Sequence, residues 1–284
     1  MAGKVAGGGG SAAAGIGYAA ADGIKLVATD LDGTLLTGYR KDVPPEAWPA
    51  IERVCASDVL FLAASGRQYA SLRHLFAPVA DRMGYVCENG ALVMVNDEPL
   101  VCRSIDHDLA MEICHAAMEL PGCYFLASCE RRAYILDDNP ALLDRLVNQI
   151  HNEMGVVERP EDIPGTIIKV AFFVPGKRHD EVIDYFARRF GGVCRPVTSG
   201  IEWVDMLMDG VNKGTALAGV GRALGIAPEQ MAAFGDAGND REMLEFVGHP
   251  YLMDPHTPDM DDLAVRCTPC TSVSAELDRI LGRR

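Results

Sequence analysis

The chain has 284 residues, 49% hydrophobic and 23% charged, with a formal net charge of -14, which suits a globular protein long enough to bury a proper core in one large or two modest domains. The acidic balance argues against nucleic acid as a partner, since affinity for a phosphate backbone comes largely from lysines and arginines that displace counterions. No apolar run approaches the ~18 residues that cross a bilayer, so membrane spanning is not expected either.

The nine cysteines are scattered, and the chain opens without a basic segment leading into an apolar signal core. They read as reduced thiols in a cytoplasm. The one tight pair, Cys267-Thr268-Pro269-Cys270, is half a zinc site, a redox pair or two ordinary loop cysteines, and no second pair is present to complete a metal site.

Residues 1–22 are rich in glycine and alanine, including Gly7-Gly8-Gly9-Gly10-Ser11, with no apolar periodicity; they read as a flexible tail. The first predicted strand, Ile24 to Thr29, stops abruptly at Asp30-Leu31-Asp32-Gly33-Thr34. The same pattern recurs where Val59 to Ala64 stops at Ser65-Gly66-Arg67, Tyr85 to Cys87 stops at Glu88-Asn89-Gly90, and Met231 to Phe234 stops at Gly235-Asp236. Helical stretches lie between them at Glu46 to Cys55, Gln68 to Phe76 and Lys213 to Leu224. Strands that alternate with helices and end in polar loops predict an α/β fold with a parallel, doubly wound sheet, whose loops meet at one edge.

The middle of the chain lacks the strand-then-acidic-loop pattern. Helices are expected at Asp108 to Leu120, Pro140 to Met154 and His179 to Phe190, with strands at Cys123 to Ala127, Ala133 to Leu136 and Ile167 to Val174. Residues 103–192 are therefore expected to form an inserted α+β domain, with 23–102 and 193–284 making the core. The stretch after Met253 remains unassigned.

Asp30 and Asp32 stand two residues apart where a strand ends, so their side chains start on the same side, and the turn at Gly33 lets both address one cavity. One carboxylate can attack phosphorus while the other moves protons. The alternative is an Asp-Gly turn whose carboxylates cap backbone amides. A second acidic loop, Gly235-Asp236-Ala237-Gly238-Asn239-Asp240, either caps the following helix or joins the first pair around a hard divalent cation, for which magnesium fits best. Ser65 and Gly66 offer a hydroxyl and an unencumbered amide, and Lys213 offers a positive charge at a helix start. Taken singly, Ser65 reads as a helix cap and Lys213 as a surface lysine. All of these groups nevertheless fall at one predicted sheet edge.

These segments, in this order, resemble the haloacid dehalogenase-like phosphatases. Glu88-Asn89-Gly90-Ala91 and Val211-Asn212-Lys213-Gly214 look like the Cof-type subgroup, in which a C2-type cap is inserted between the second and third motifs. The resemblance implies Asp30 as nucleophile and metal ligand, Asp32 as acid/base and ligand through its backbone carbonyl, and Asp236 as a further ligand to Mg2+. Ser65 and Lys213 would hold the phosphoryl group, with Asn239 and Asp240 supporting the metal site. Ala237 stands where that subgroup usually has glycine, and Asp205 and Met208 where it often has glutamate and proline; no role is read into Asp205.

The expected reaction is hydrolysis of a small phosphorylated metabolite, a sugar phosphate or related monoester. Asn89, Gly90 and Lys169 are candidates for substrate contact, Lys169 being equally readable as a structural lysine. Arg67 reaches an anion or pairs with a surface acid. A phosphomutase and a non-enzymatic phosphometabolite-binding module are the rival readings.

Overall fold

The structure is a computed structural model that describes residues 23–282, apart from 39, 137–138, 177 and 199–201. The Gly/Ala-rich stretch 1–22 lies outside the described residues. The strands of the first sheet begin with β1 (Leu26–Thr29), β2 (Leu60–Ala64), β3 (Gly84–Cys87), β4 (Leu92–Val95) and β5 (Glu98–Cys102). The chain then builds a second sheet from β6 (Tyr124–Cys129), β7 (Ala133–Leu136), β8 (Met154–Val157), β9 (Ile167–Phe173), β10 (Cys194–Thr198) and β11 (Trp203–Met208). It returns to the first with β12 (Met231–Gly235), β13 (His249–Met253) and β14 (Thr268–Cys270). The helices are α1 (Trp48–Cys55), α2 (Tyr69–Leu75), α3 (His107–Met118), α4 (Pro140–Asn148), α5 (His179–Phe190), α6 (Lys213–Leu224), α7 (Arg241–Phe246) and α8 (Val273–Gly282).

The first sheet has the order β14-β13-β12-β1-β2-β3-β4-β5. It is parallel from β14 to β3, and β4 and β5 are added as an antiparallel hairpin. Every residue of β1, β2 and β12 is buried, because helices cover both faces and leave no solvent side to demand polar alternation. Side chains still alternate between two cores: Val27, Phe61 and Ala232 pack on one face with α1 and α8, and Leu26, Leu62 and Ala233 on the other with α6 and α7. β1 lies between β12 and β2, with Thr29 in register with both Phe234 and Ala63. The direction of chain winding reverses there, which opens a crevice at the carboxyl ends of the strands.

The second sheet has the order β10-β11-β9-β6-β7-β8. Helices α3 and α5 cover one face, where Phe172 stacks on Phe186 at 4.1 Å between ring centroids. On the opposite face α4 packs Leu142 and Leu146 against Leu126 and Ala171.

Two expectations need correction. The inserted sheet continues past residue 192: β10 and β11 pair with each other and with β9, not with the first sheet. β10 carries Pro196 and occupies the sheet edge, where the missing N–H costs no ladder bond. The helix from Pro140 ends at Asn148, and after His151, whose φ is 61°, the chain becomes strand β8. The unassigned C-terminal stretch supplies β14 and α8, whose Val273, Leu277 and Ile280 join the main core. Cys267 and Cys270 pack into cores on opposite faces of the first sheet, so they do not form one site.

The Phe172 stack generates a stability prediction. Truncation of this wholly buried ring by Phe172→Ala should cost about 3–5 kcal/mol of the inserted unit's stability. Urea unfolding followed by Trp203 fluorescence, in a Trp48→Phe background, measures it.

Candidate active site

β1 delivers Asp30 to the crevice. Its amide donates to the Phe234 carbonyl at 2.9 Å, which extends the β1–β12 pairing one residue beyond the strand. The chain then turns at Gly33, where φ is +105° and a Cβ would strike the Asp236 carboxylate; only glycine fits both constraints. Thr34 next to it donates its hydroxyl to Asp236 Oδ1 at 2.6 Å, tying the two acidic loops together.

Lys213 is the first residue of α6. Asn212 caps that helix by accepting from the Thr215 amide at 2.7 Å, while the Thr215 hydroxyl accepts from the Asn212 amide at 3.2 Å. The cap aims the lysine inward, where Nζ lies 2.6 Å from Asp30 Oδ1 and 2.6 Å from Asp240 Oδ1. Asp240 accepts with its other oxygen from the amides of Asp236 at 3.0 Å and Ala237 at 3.3 Å. Both oxygens of this wholly buried side chain are thus engaged in holding the lysine and the loop.

Carboxylate oxygens of Asp30, Asp236 and Asp240 all lie within 4.8 Å of one another. Three carboxylates against one ammonium leave two negative charges in a buried space, an imbalance that a divalent cation with oxygen ligands would offset. The electrostatics agree. Burial, reinforced by Asp240 and opposed by Lys213, pushes the Asp30 carboxyl up to about 8. Burial also raises Asp236, against the Thr34 hydrogen bond. Burial alone would lower Lys213, but Asp240 and Asp30 outweigh it and hold the ammonium protonated above its ordinary range.

The remaining expected residues lie around a cavity of about 1080 Å³ between the sheet edge and the inserted unit. Asp30, Asp32, Ser65, Gly66, Arg67 and Asn89 line it, as does Asn239, which is exposed. Arg67 pairs with Asp32 through two contacts, Nη2 to Oδ1 at 2.6 Å and Nε to Oδ2 at 3.3 Å. Asp32 is not among the three clustered carboxylates, though its charge is close enough to be felt at Asp236. Gly90 does not reach the wall: with φ at +101° it lies against the Asn212 carbonyl, which a Cβ would strike. Its part is to let β3's loop approach the start of α6.

Two buried acids were overlooked as site residues. Lys169 on β9 contacts the Glu88 carboxylate and lies 3.2 Å from Asp205 Oδ2, and Asp205 also accepts from Asn89 Nδ2 at 3.0 Å. A signal was present: Asp205 interrupts the apolar run of β11 as Lys169 interrupts β9, and a charge within an apolar strand requires a partner.

An acid and a buried lysine thus stand at the switch point of a doubly wound sheet, beside a carboxylate group suited to a cation. Comparison with known proteins supplies the family. The model of the haloacid dehalogenase-like hydrolases matches residues 27–274, and the chain belongs to that family. It is 23% identical over 231 residues to 5-amino-6-(5-phospho-D-ribitylamino)uracil phosphatase of Escherichia coli strain K12, covering 81% of this chain and 85% of that one. It is 27% identical over 250 residues to the HMP-PP phosphatase of Citrobacter koseri, covering 83% and 86%. A solved structure from Eubacterium rectale matches with a TM-score of 0.78 at 28% identity, covering 92% of this chain and 99% of that one. The protein is accordingly an enzyme of the haloacid dehalogenase-like phosphatase class.

Lys213→Met should destabilise the fold by about 3–5 kcal/mol at pH 8, because it leaves buried carboxylates uncompensated. The loss should shrink at pH 5, below the raised pKa of about 8 of Asp30, where protonation can neutralise that carboxyl. Urea denaturation at the two pH values tests both parts.

Proposed function

We propose that the protein hydrolyses a small phosphate monoester by passing its phosphoryl group first to Asp30 and then to water, with Mg2+ as cofactor. The observation that carries this reading is the fixed pair of Lys213 Nζ and Asp30 Oδ1 at 2.6 Å, with Asp30 on the cavity wall and Asp236 close to it. Lys213 engages one oxygen of Asp30, which leaves Oδ2 to attack phosphorus. As the Asp30–phosphorus bond forms, the ester P–O bond breaks, and Asp32 protonates the departing oxygen. Asp32 then takes a proton from water, the water oxygen bonds to phosphorus, and the bond to Asp30 breaks. Arg67 holds Asp32 in place for both proton movements.

The donor set is all oxygen and carries two uncompensated charges, which fits a hard divalent cation. Asp30, Asp236 and the Asp32 backbone carbonyl would hold Mg2+, with Asn239 and Asp240 supporting that loop. When bound, the cation lowers the repulsion between the carboxylates and an anionic substrate. Ser65 and the Gly66 amide are suited to hold the equatorial oxygens together with Lys213. The inserted unit serves as a cap that shields the reaction from water and contacts the leaving group. The relatives' activities on a phosphoribityl compound and on HMP-PP support a small phosphorylated metabolite as substrate.

Asp30→Asn should lower kcat by about 10⁴-fold or more while the protein stays folded. Phosphate release from a panel of sugar phosphates and related monoesters, with Mg2+ present, measures this; comparable turnover by the pure variant removes Asp30 from the nucleophile's role.

A second expectation concerns pH. The folded-state pKa of Asp30 is raised from 3.8 to about 8, so the cation-free protein loses stability as pH climbs through that window. A cation competes with the proton at this carboxylate. The rise in Tm on adding Mg2+ should therefore be larger at pH 9 than at pH 6, and an equal rise at both would contradict this ligand assignment.

A further inference from the structure

Lys169 and Asp205 come from the inserted unit, yet their contacts are in the core. Asp205 is in register with Ala171, two residues beyond Lys169 on the neighbouring strand, so both side chains leave the inserted sheet by the face turned to the sheet edge. Their side chains are 6% and 2% exposed. Lys169 Nζ donates to the Gly66 carbonyl at 3.1 Å and contacts Glu88, while Asp205 Oδ2 accepts from Asn89 Nδ2 at 3.0 Å. The receiving groups belong to two core loops that are already joined: the Asn89 amide donates to the Ser65 carbonyl at 3.0 Å and the Glu88 amide to the Arg67 carbonyl at 3.2 Å. Glu88 and Asn89 sustain this with φ of 51° and 55°, a backbone conformation that side-chain-bearing residues seldom adopt.

We propose that Lys169 and Asp205 are positioning residues through which the cap orders the phosphoryl-holding loops of the core. A buried group of two acids and one lysine is a poor way to gain stability compared with apolar packing. Its effect here is directional: it fixes the Gly66 carbonyl, the Glu88 carboxylate and the Asn89 amide only while the inserted unit sits over the sheet edge. If the unit swings away, all three lose their partners together, and the Ser65–Arg67 loop loses its second anchor. Closure and completion of the phosphoryl-binding loop are then one event, so an open enzyme holds phosphate esters without being set to cleave them. The inference rests on the phosphatase reading for its kinetic consequence, but the loop ordering stands independently of it.

The test uses the full chain, p-nitrophenyl phosphate and Mg2+. Asp205→Ala is the variant least exposed to misfolding, because Lys169 keeps Glu88 as its counter-ion. Asp205→Ala and Lys169→Met should each lower kcat about tenfold or more with KM little changed, since a misplaced loop costs rate rather than binding. The double variant should be no worse than the poorer single variant, because the two residues are paired with each other and hold the same two joined loops. By hydrogen exchange, the amides of Glu88 and Asn89 should exchange faster in Asp205→Ala, with α6 as protected as in the wild type. Folded Asp205→Ala with wild-type kcat and unchanged protection at Glu88 and Asn89 would overturn the proposal, as would a multiplicative fall in the double variant. If the wild type releases no phosphate from any ester, the phosphatase reading fails, and the exchange result alone decides the loop-ordering claim.

Discussion

The active edge of this protein depends on a lysine with no access to solvent. Lys213 sits between Asp30 and Asp240 at 2.6 Å from each, and every other feature of the site is arranged around its charge. An ammonium in that position without partners would shed its proton or unfold its surroundings. With them it stays charged and pins the Asp30 carboxylate. Asp240 cannot relax its hold, because its second oxygen is committed to the amides of Asp236 and Ala237. The capped start of α6, the turn at Gly33 and the second acidic loop therefore form one unit, and a disturbance in any of them is felt at Asp30.

Much of this was legible in the chain because the signals were local. The strand-then-acid pattern located β1, β2, β3 and β12, and since parallel strands put their carboxyl ends on one side, Asp30, Ser65, Asn89 and Asp236 had to meet. The start of α6 was readable at Asn212-Lys213-Gly214, and in the structure Asn212 and Thr215 cap it. Where local signals misled, tertiary context decided. Leu142, Leu146 and Ile150 continue a helical spacing toward Met154, and nothing nearby announces the left-handed residue His151, which releases the chain into β8. β10 carries no such local signal, and its Pro196 is tolerated because the strand lies at the sheet edge.

Pairing at long range was the harder problem. Arg67 could be expected either to await an anion or to meet an acid; its partner is Asp32, 35 residues away, across α1 and β2. Lys169 and Asp205, 36 residues apart, meet only because β9 and β11 lie side by side in antiparallel register. Each is an isolated charge in an apolar strand, a pattern that says a partner exists without saying which one. The expected boundary at residue 192 hid the answer, since it assigned Asp205 to the core and Lys169 to the insertion.

The two buried lysines solve the same electrostatic problem with different consequences. Each bridges two carboxylates, Asp30 and Asp240 for Lys213, Glu88 and Asp205 for Lys169. Around Lys169 the excess charge is one, and neutral donors such as the Asn89 amide can absorb it, so the group is complete as protein. Around Lys213 the nearby Asp236 raises the excess to two, and protein donors alone leave Asp30 and Asp236 with raised pKa values. The difference of one carboxylate separates a contact balanced by the protein's own donors from a carboxylate group that could hold a cation. Gly66 and Asn89, which the Lys169 group holds, also line the cavity that Asp30 lines.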